Sequence, residues 1–494
     1  MTTLPETTAP ICLSNATLDD LPEQVARPTY DRNSLTPGIV HVGLGNFHRA
    51  HQAWYLHRLM QQGLCHDWAL IGAGVRAGDA TMREKLLAQD CLTTLIELDP
   101  ASASVEVIGP MIDFLPVEED NVALIGCISN PEIRIVAMTV TEGGYFIAPE
   151  AGGLDLNDPD IRHDIAHPDT PRTVFGAIVA ALKARRDVGN DPFTVLSCDN
   201  LQGNGDITRA TVVSLARQSD AALAEWIDTN STFPNSMVDC IVPATGPQEM
   251  ALARDVGIED AAPVTHENFR QWVIEDRFCA GRPDWDKVGA TFTDNVHPFE
   301  SMKIRLLNAG HQVLANAGEL LSIDTIAGCM VDPQVSGLFA KVLHDEIAPH
   351  VSAVPDMTPA QEIDLISKRF ANAKIHDTTR RVAFDGLSRH RGFLHPVIED
   401  ALAQGRSVEG LALVEALWAR MCAGTREDGS TIEPNDPAWD TLQETAQHAR
   451  EAPEAWLTHY GPRLQETDFR EPFEAALKKL WEIGTRETLT AYLR

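Results

Sequence analysis

The sequence predicts an α/β first part followed by a mostly α-helical second part. Three observations lead there. Short β-branched runs alternate with helical periods over roughly the first 290 residues, a Gly-x-Gly turn ends the first of those runs, and long apolar-periodic stretches without strands fill the rest.

In chain order, residues 39–43 form an apolar strand, 50–60 a helical stretch and 68–75 a second strand, the unit that builds a parallel sheet. Further strands are expected at 105–108, 133–139 and 193–197, the last leading through Gly203-Asn-Gly205 into a helix at 207–217. After Gly281-Arg-Pro-Asp-Trp-Asp286 the pattern turns helical, with long periods at 302–321 and 408–421. A chain of 494 residues exceeds what one core usually organises. The expected domains are therefore 1–290 and 291–494.

A formal charge of -31, from 71 acidic and 40 basic residues, repels phosphate backbones and anionic lipid, so neither nucleic acid nor a membrane surface is an expected partner. The first residues, Met-Thr-Thr-Leu-Pro-Glu, show no basic or apolar region of a signal peptide, and no run approaches 18 apolar residues. A cytoplasmic protein is expected. The nine cysteines are scattered with no Cys-x-x-Cys, the usage of buried small hydrophobes in a reducing compartment.

The segment His41-Val-Gly-Leu-Gly-Asn-Phe-His-Arg-Ala-His51 ends a strand and opens a helix. Gly43 permits the tight turn and Gly45 lets backbone approach a pyrophosphate at the helix N-terminus, while His48 stands where a third glycine is usual. This reads as a Rossmann-type dinucleotide turn, with Gly43, Leu44, Gly45, Phe47 and Arg49 as candidate cofactor contacts. Beyond the second strand, Asp79 in Gly72-Ala-Gly-Val-Arg-Ala-Gly-Asp79 is a candidate acceptor for ribose hydroxyls, which favours NAD; Arg76 beside it argues for a 2′-phosphate.

Two common dehydrogenase chemistries are excluded. None of the five tyrosines has a lysine four places on, as Tyr-x-x-x-Lys requires. Zinc needs thiolate and imidazole ligands, yet the suggestive pairs are only His48/His51, in the cofactor turn, and His163/His167, in an Asp/Pro-rich stretch without a third ligand, so no metal is expected.

The segment Met302-Lys-Ile-Arg-Leu-Leu-Asn-Ala-Gly-His311 carries the acid–base chemistry. On a regular helix Lys303, Asn308 and His311 fall at about 0°, 140° and 80°, opposite the apolar stripe of Leu306, Ala309 and Val313. A lysine acts as base near neutral pH when desolvation and nearby positive charge bring it from about 10.4 towards roughly 7 to 8. Asn308 offers an amide donor to a developing alkoxide. Asn200, after the strand at 193–197, is a second such donor, and Glu142 in Thr139-Val-Thr-Glu-Gly-Gly-Tyr145 is placed to relay a proton from Lys303 to solvent.

Together these segments resemble the polyol-specific long-chain dehydrogenases, whose members act on mannitol, arabinitol or fructuronate. The resemblance spans nearly the whole chain and includes Ser197-Cys-Asp-Asn200, Phe233-Pro-Asn-Ser-Met-Val-Asp239, Gln271-Trp-Val-Ile-Glu-Asp276 and the Lys-x4-Asn-x2-His spacing. It implies Lys303 as acid/base, Asn200 and Asn308 at the reacting oxygen, His311 beside the substrate, Glu142 gating the proton path and Asp239 binding hydroxyls. It also implies substrate contacts at Arg381 and, where the family can carry lysine, Arg389. The usual Asn-Pro is Asn372-Ala373 here. A Rossmann-type domain, a helical domain with the active site in the cleft between, NAD, metal-independent catalysis and a monomer are further implications. Oxidation of D-mannitol to D-fructose is the leading expectation, beside reduction of fructuronate and oxidation of arabinitol. From another class, a non-catalytic NAD-binding redox sensor is opposed by the presence of Lys303, Asn308, His311 and Asn200 together.

Overall fold

The computed structural model describes residues 9–148, 153–460, 464 and 467–494. The chain divides into two compact units, Met1–His297 and Pro298–Arg494.

The centre of the first unit is a five-stranded sheet: β1 (Pro37–Val42), β2 (Ala69–Ala73), β3 (Met111–Phe114), β4 (Ile135–Met138) and β5 (Thr194–Ser197). Every pairing is parallel, in the order 3-2-1-4-5. Successive β1 side chains enter opposite cores, Ile39 the one packed by the helix Gln52–Gln61 and Val40 and Val42 the one packed by Val174–Val188. Burial on both faces explains why β1 reads as an unbroken apolar run. The sheet order places the turns after β1 and β4 at the topological switch point, where ligands of open α/β sheets bind.

The strand expected at 105–108 lies outside this sheet. Ala103–Ile108 pairs antiparallel with Thr93–Leu98 in a second, mixed sheet completed by Val25–Ala26 and Val264–Glu267. A third sheet joins Ser236–Asp239, Gln271–Glu275 and Thr291–Thr293. Because Thr291–Thr293 pairs with Gln271–Glu275, residues past 290 still build the first unit.

The second unit surrounds a central helix, Glu409–Cys422, that is buried all round and packs on Ala309–Leu320 and Arg470–Leu493. The stretch read as one helix over 302–321 is three pieces: an α-helical turn His297–Met302, a π-helical segment Lys303–Asn308 and the α-helix Ala309–Leu320. The Ala309 N–H reaches the Ile304 carbonyl, the wider π pattern. That turn accommodates residues five apart, so the angle of roughly 140° given by a regular helix overstates the separation of Lys303 and Asn308. Among the described residues no helix is long and apolar enough to cross a membrane.

Candidate active site

In the first unit the expected cofactor turn follows β1. Gly43 has φ +90°, and a Cβ there would lie 2.2 Å from the Thr139 carbonyl after β4, so only glycine fits. The Thr139 hydroxyl donates to the Gly43 carbonyl at 2.6 Å and takes the Nε2–H of His41 at 3.0 Å. His48, in place of a third glycine, is fully buried and stacks on His41 with ring centroids 3.5 Å apart. Burial pushes His41 down to about 3 and His48 well below the usual imidazole range, so the stacked pair is uncharged.

Gly45 is exposed, and a Cβ on it would meet nothing within 4 Å; its N–H donates to the Gly43 carbonyl. This open, glycine-edged turn at the carboxyl end of the central strand fits a dinucleotide pyrophosphate. Phe47 is half-buried and stacks on His51 at 4.9 Å. Leu44 and Arg49, expected at the cofactor, lie inside. Leu44 packs over Gly72, and the Arg49 guanidinium donates to the Ala262 carbonyl and to Asn46 Oδ1 (2.8 Å), its burial bringing it down to about 10. Asp79, after β2, accepts the Val75 and Arg76 N–H groups on Oδ2, each at 3.0 Å, which closes the loop that carries it.

The loops after β4 and β5 are joined by Asp199. Its carboxylate accepts from Val140 N (3.1 Å), Thr141 N (2.8 Å) and the buried Tyr145 hydroxyl (2.7 Å). Thr141 has φ +68° and ψ 162°, an uncommon backbone for a β-branched residue. Asn200, next to Asp199, is exposed at the end of β5. Asn204 Nδ2 donates to the Asp199 carbonyl (3.0 Å) and to the Ser236 carbonyl (2.8 Å), tying in the strand that ends at the buried Asp239. The backbone of Glu142 opens the short helical turn Glu142–Tyr145; its side chain lies outside the described residues.

In the second unit Lys303 is half-buried at the start of the π-helical segment. Asn308, 8% exposed, closes that segment, and among the described residues its Nδ2 has no hydrogen-bond partner. His311, one turn on, stacks on Phe370 at 4.1 Å; its Nε2 makes no hydrogen bond to the described residues and lies 3.7 Å from Asp377 Oδ2. Burial pushes His311 down to about 3; Asp377 opposes this, and Arg381, Arg369 and Arg389 reinforce it. Arg381 grips Asp377 through Nε and Nη2 at 2.6 and 2.7 Å and is 56% exposed. Arg389 Nη1 donates to the Val382 carbonyl at 2.6 Å.

The structure thus brings Asp377 and the charges of Arg381, Arg369 and Arg389 within electrostatic reach of His311; Asp377, Arg369 and Asp199 are residues that sequence reasoning missed. Asp377 had a signal: it stands four residues before Arg381, a spacing that pairs opposite charges. Asp199 had none beyond its place beside Asn200.

A parallel sheet in 3-2-1-4-5 order with a glycine turn on its central strand, followed by a helical unit bearing lysine, amide and imidazole on one segment, defines a two-unit Rossmann-type dehydrogenase. The chain belongs to the mannitol dehydrogenase family: residues 37–287 match the Mannitol dehydrogenase Rossmann domain and 295–481 the Mannitol dehydrogenase C-terminal domain. It is 52% identical over 472 residues to mannitol 2-dehydrogenase of Cereibacter sphaeroides, covering 95% of this chain and 99% of that one. D-mannonate oxidoreductase of Escherichia coli is 39% identical, covering 94% and 98%. Pseudomonas fluorescens mannitol 2-dehydrogenase, solved as a ternary complex with NAD and D-mannitol, superposes with a TM-score of 0.89 at 39% identity, covering 98% and 99%.

Proposed function

We propose that the protein is an NAD-dependent polyol dehydrogenase that oxidises D-mannitol to D-fructose, with Lys303 as the acid/base. The observation that carries this reading is the pair of buried polar atoms that make no hydrogen bond to the described residues, Asn308 Nδ2 and His311 Nε2, on consecutive turns after Lys303. Buried polar atoms are normally hydrogen-bonded, and these two, on the stretch that also carries Lys303, support a site for a hydroxylated ligand there.

NAD, held at the turn edged by Gly43 and Gly45, would supply the hydride acceptor for the carbinol carbon. Lys303 Nζ takes the hydroxyl proton in oxidation and returns it in reduction. Asn308, and Asn200 in the same role, donate amide N–H groups to the oxygen as its negative charge grows. His311, held neutral by burial, offers Nε2 to a neighbouring hydroxyl. Glu142 passes the proton of Lys303 to solvent. Asp239 accepts from substrate hydroxyls, and Arg381 and Arg389 donate to them. For the cofactor, Gly43, Leu44, Gly45, Phe47 and Arg49 form or support the pyrophosphate turn, and Asp79 accepts from the ribose. Asp79 favours NAD because a carboxylate repels a 2′-phosphate.

A second reading, reduction of fructuronate to mannonate, is favoured by the three guanidiniums near His311 and by the likeness to D-mannonate oxidoreductase. Against it, Asp377 already occupies the fork of Arg381 with both its oxygens. NADH formation from D-mannitol, D-arabinitol and D-sorbitol, beside NADH consumption with D-fructose and D-fructuronate, tests both. Dominant mannitol and fructose turnover supports the first reading; turnover with fructuronate alone replaces it with the second.

A further inference from the structure

We infer that Asp199 is a positioning residue, one that sets the backbone on which Asn200 and Glu142 are carried; this rests on the roles proposed for those two residues. Asp199 is buried at the carboxyl end of β5 and faces three donors from the loop after β4: the Val140 and Thr141 N–H groups and the Tyr145 hydroxyl. These donors reach both carboxylate oxygens, Val140 N–H and the Tyr145 hydroxyl on Oδ2 and Thr141 N–H on Oδ1, so one side chain ties three points of the loop.

The clamp has a specific strain to hold. Thr141 sits at φ +68°, a region that costs a β-branched residue, and its N–H is the group Asp199 takes at 2.8 Å. Thr141 is exposed, so side-chain packing does not impose this backbone; the carboxylate does. Glu142 follows it directly, and Asn200 follows Asp199 directly, so one ion fixes the start of both functional turns. Ser197 secures the clamp from behind, with Oγ bonded to the Tyr145 hydroxyl and taking the Asp199 N–H at 3.3 Å. Asparagine is nearly isosteric with aspartate but presents an NH2 where one of these donors points.

The test compares the full-length wild type with Asp199→Asn, Thr141→Gly and the double variant. Asp199→Asn should lower kcat at least tenfold and displace the pH profile of kcat, with the NADH dissociation constant within about twofold. Peptides covering residues 139–145 should exchange their amide hydrogens faster. Glycine adopts the Thr141 backbone without strain, so Thr141→Gly in the Asp199→Asn background should recover most of the lost kcat. Unchanged kcat and pH profile in Asp199→Asn overturns the inference, as does a double variant more than tenfold below Thr141→Gly alone. That second comparison decides the matter if Asp199→Asn does not fold. If the wild type turns over none of the polyols, ketoses or uronates, the proposed function has failed, and the exchange rates at 139–145 still judge the clamp.

Discussion

Replacing Asn308 by leucine separates a catalytic amide from a structural one. Asn308 is 8% exposed and its Nδ2 has no hydrogen-bond partner among the described residues. A buried donor left unmade costs about 1–3 kcal/mol, and leucine of similar shape removes that cost without opening a cavity. The second unit, Pro298–Arg494, is of the size at which each kcal/mol moves the melting temperature by about 2–4 °C. Asn308→Leu is therefore expected to melt at or above the wild-type temperature, by up to several degrees. If the amide donates to the reacting oxygen, its loss should lower kcat by roughly 10²–10³-fold, the effect of removing one oxyanion donor. Differential scanning calorimetry and steady-state kinetics on the same preparation give both numbers. A fall in melting temperature of several degrees with kcat within threefold would show the amide to be structural and refute the reasoning.

Lys303→Ala should abolish turnover while NADH binding, read by fluorescence, stays within about twofold; unchanged turnover removes Lys303 from the mechanism. Gly43→Ala forces a Cβ to within 2.2 Å of the Thr139 carbonyl at φ +90°, so NADH affinity should fall at least tenfold, and an unaltered dissociation constant would contradict the turn geometry. Stability should fall on acidification through the buried imidazoles. His41 and His266 are pushed down to about 3 in the folded first unit, against about 6.5 when unfolded. As pH falls below about 6.5 the unfolded chain binds protons that the folded one refuses. Their contribution is full above that pH and declines below it, by up to about 3 kcal/mol per pH unit for the two together. Urea midpoints measured from pH 8 to 5 should drop below pH 6.5, and a flat series would count against the uncharged assignment.

The fold was legible where a strand or helix is buried on a periodic face. β1, β2, β4 and β5 fall on the expected apolar runs, because a central parallel strand must be apolar on both sides. The strand at 105–108 was found but its sheet was not, since pairing with Thr93–Leu98 is a long-range choice that a local period does not encode. The π-helical segment was likewise hidden: its residues have ordinary helical spacing, and only the backbone bonding shows the wider turn. Among the candidate residues, Gly43, Lys303, Asn308 and His311 could be named because their types are tied to chemistry at a fixed spacing. Leu44 and Arg49 belong to the same motif, and the sequence does not say that their side chains turn inward.

The loops after β4 and β5 and the stretch from Lys303 to His311 hold their polar groups differently, and the contrast follows from the tasks proposed for them. In the first unit Asp199, Asn204 and Thr139 tie the loops after β1, β4 and β5 with hydrogen bonds, two of them from N–H groups of a loop that includes a strained residue. Loops carry more freedom than helices, so a site built on them needs such clamps to hold a donor within hydrogen-bonding tolerance. In the second unit the stretch from Lys303 to His311 is already fixed by its helical backbone, and there Asn308 Nδ2 and His311 Nε2 make no hydrogen bond to the described residues. A donor that is rigid and unpaired before substrate arrives needs no reorganisation when charge develops on an oxygen, which is the condition under which electrostatic stabilisation of a transition state is largest. The desolvation borne by Asn308 and His311 in the free protein is thus the stability counterpart of their proposed chemistry.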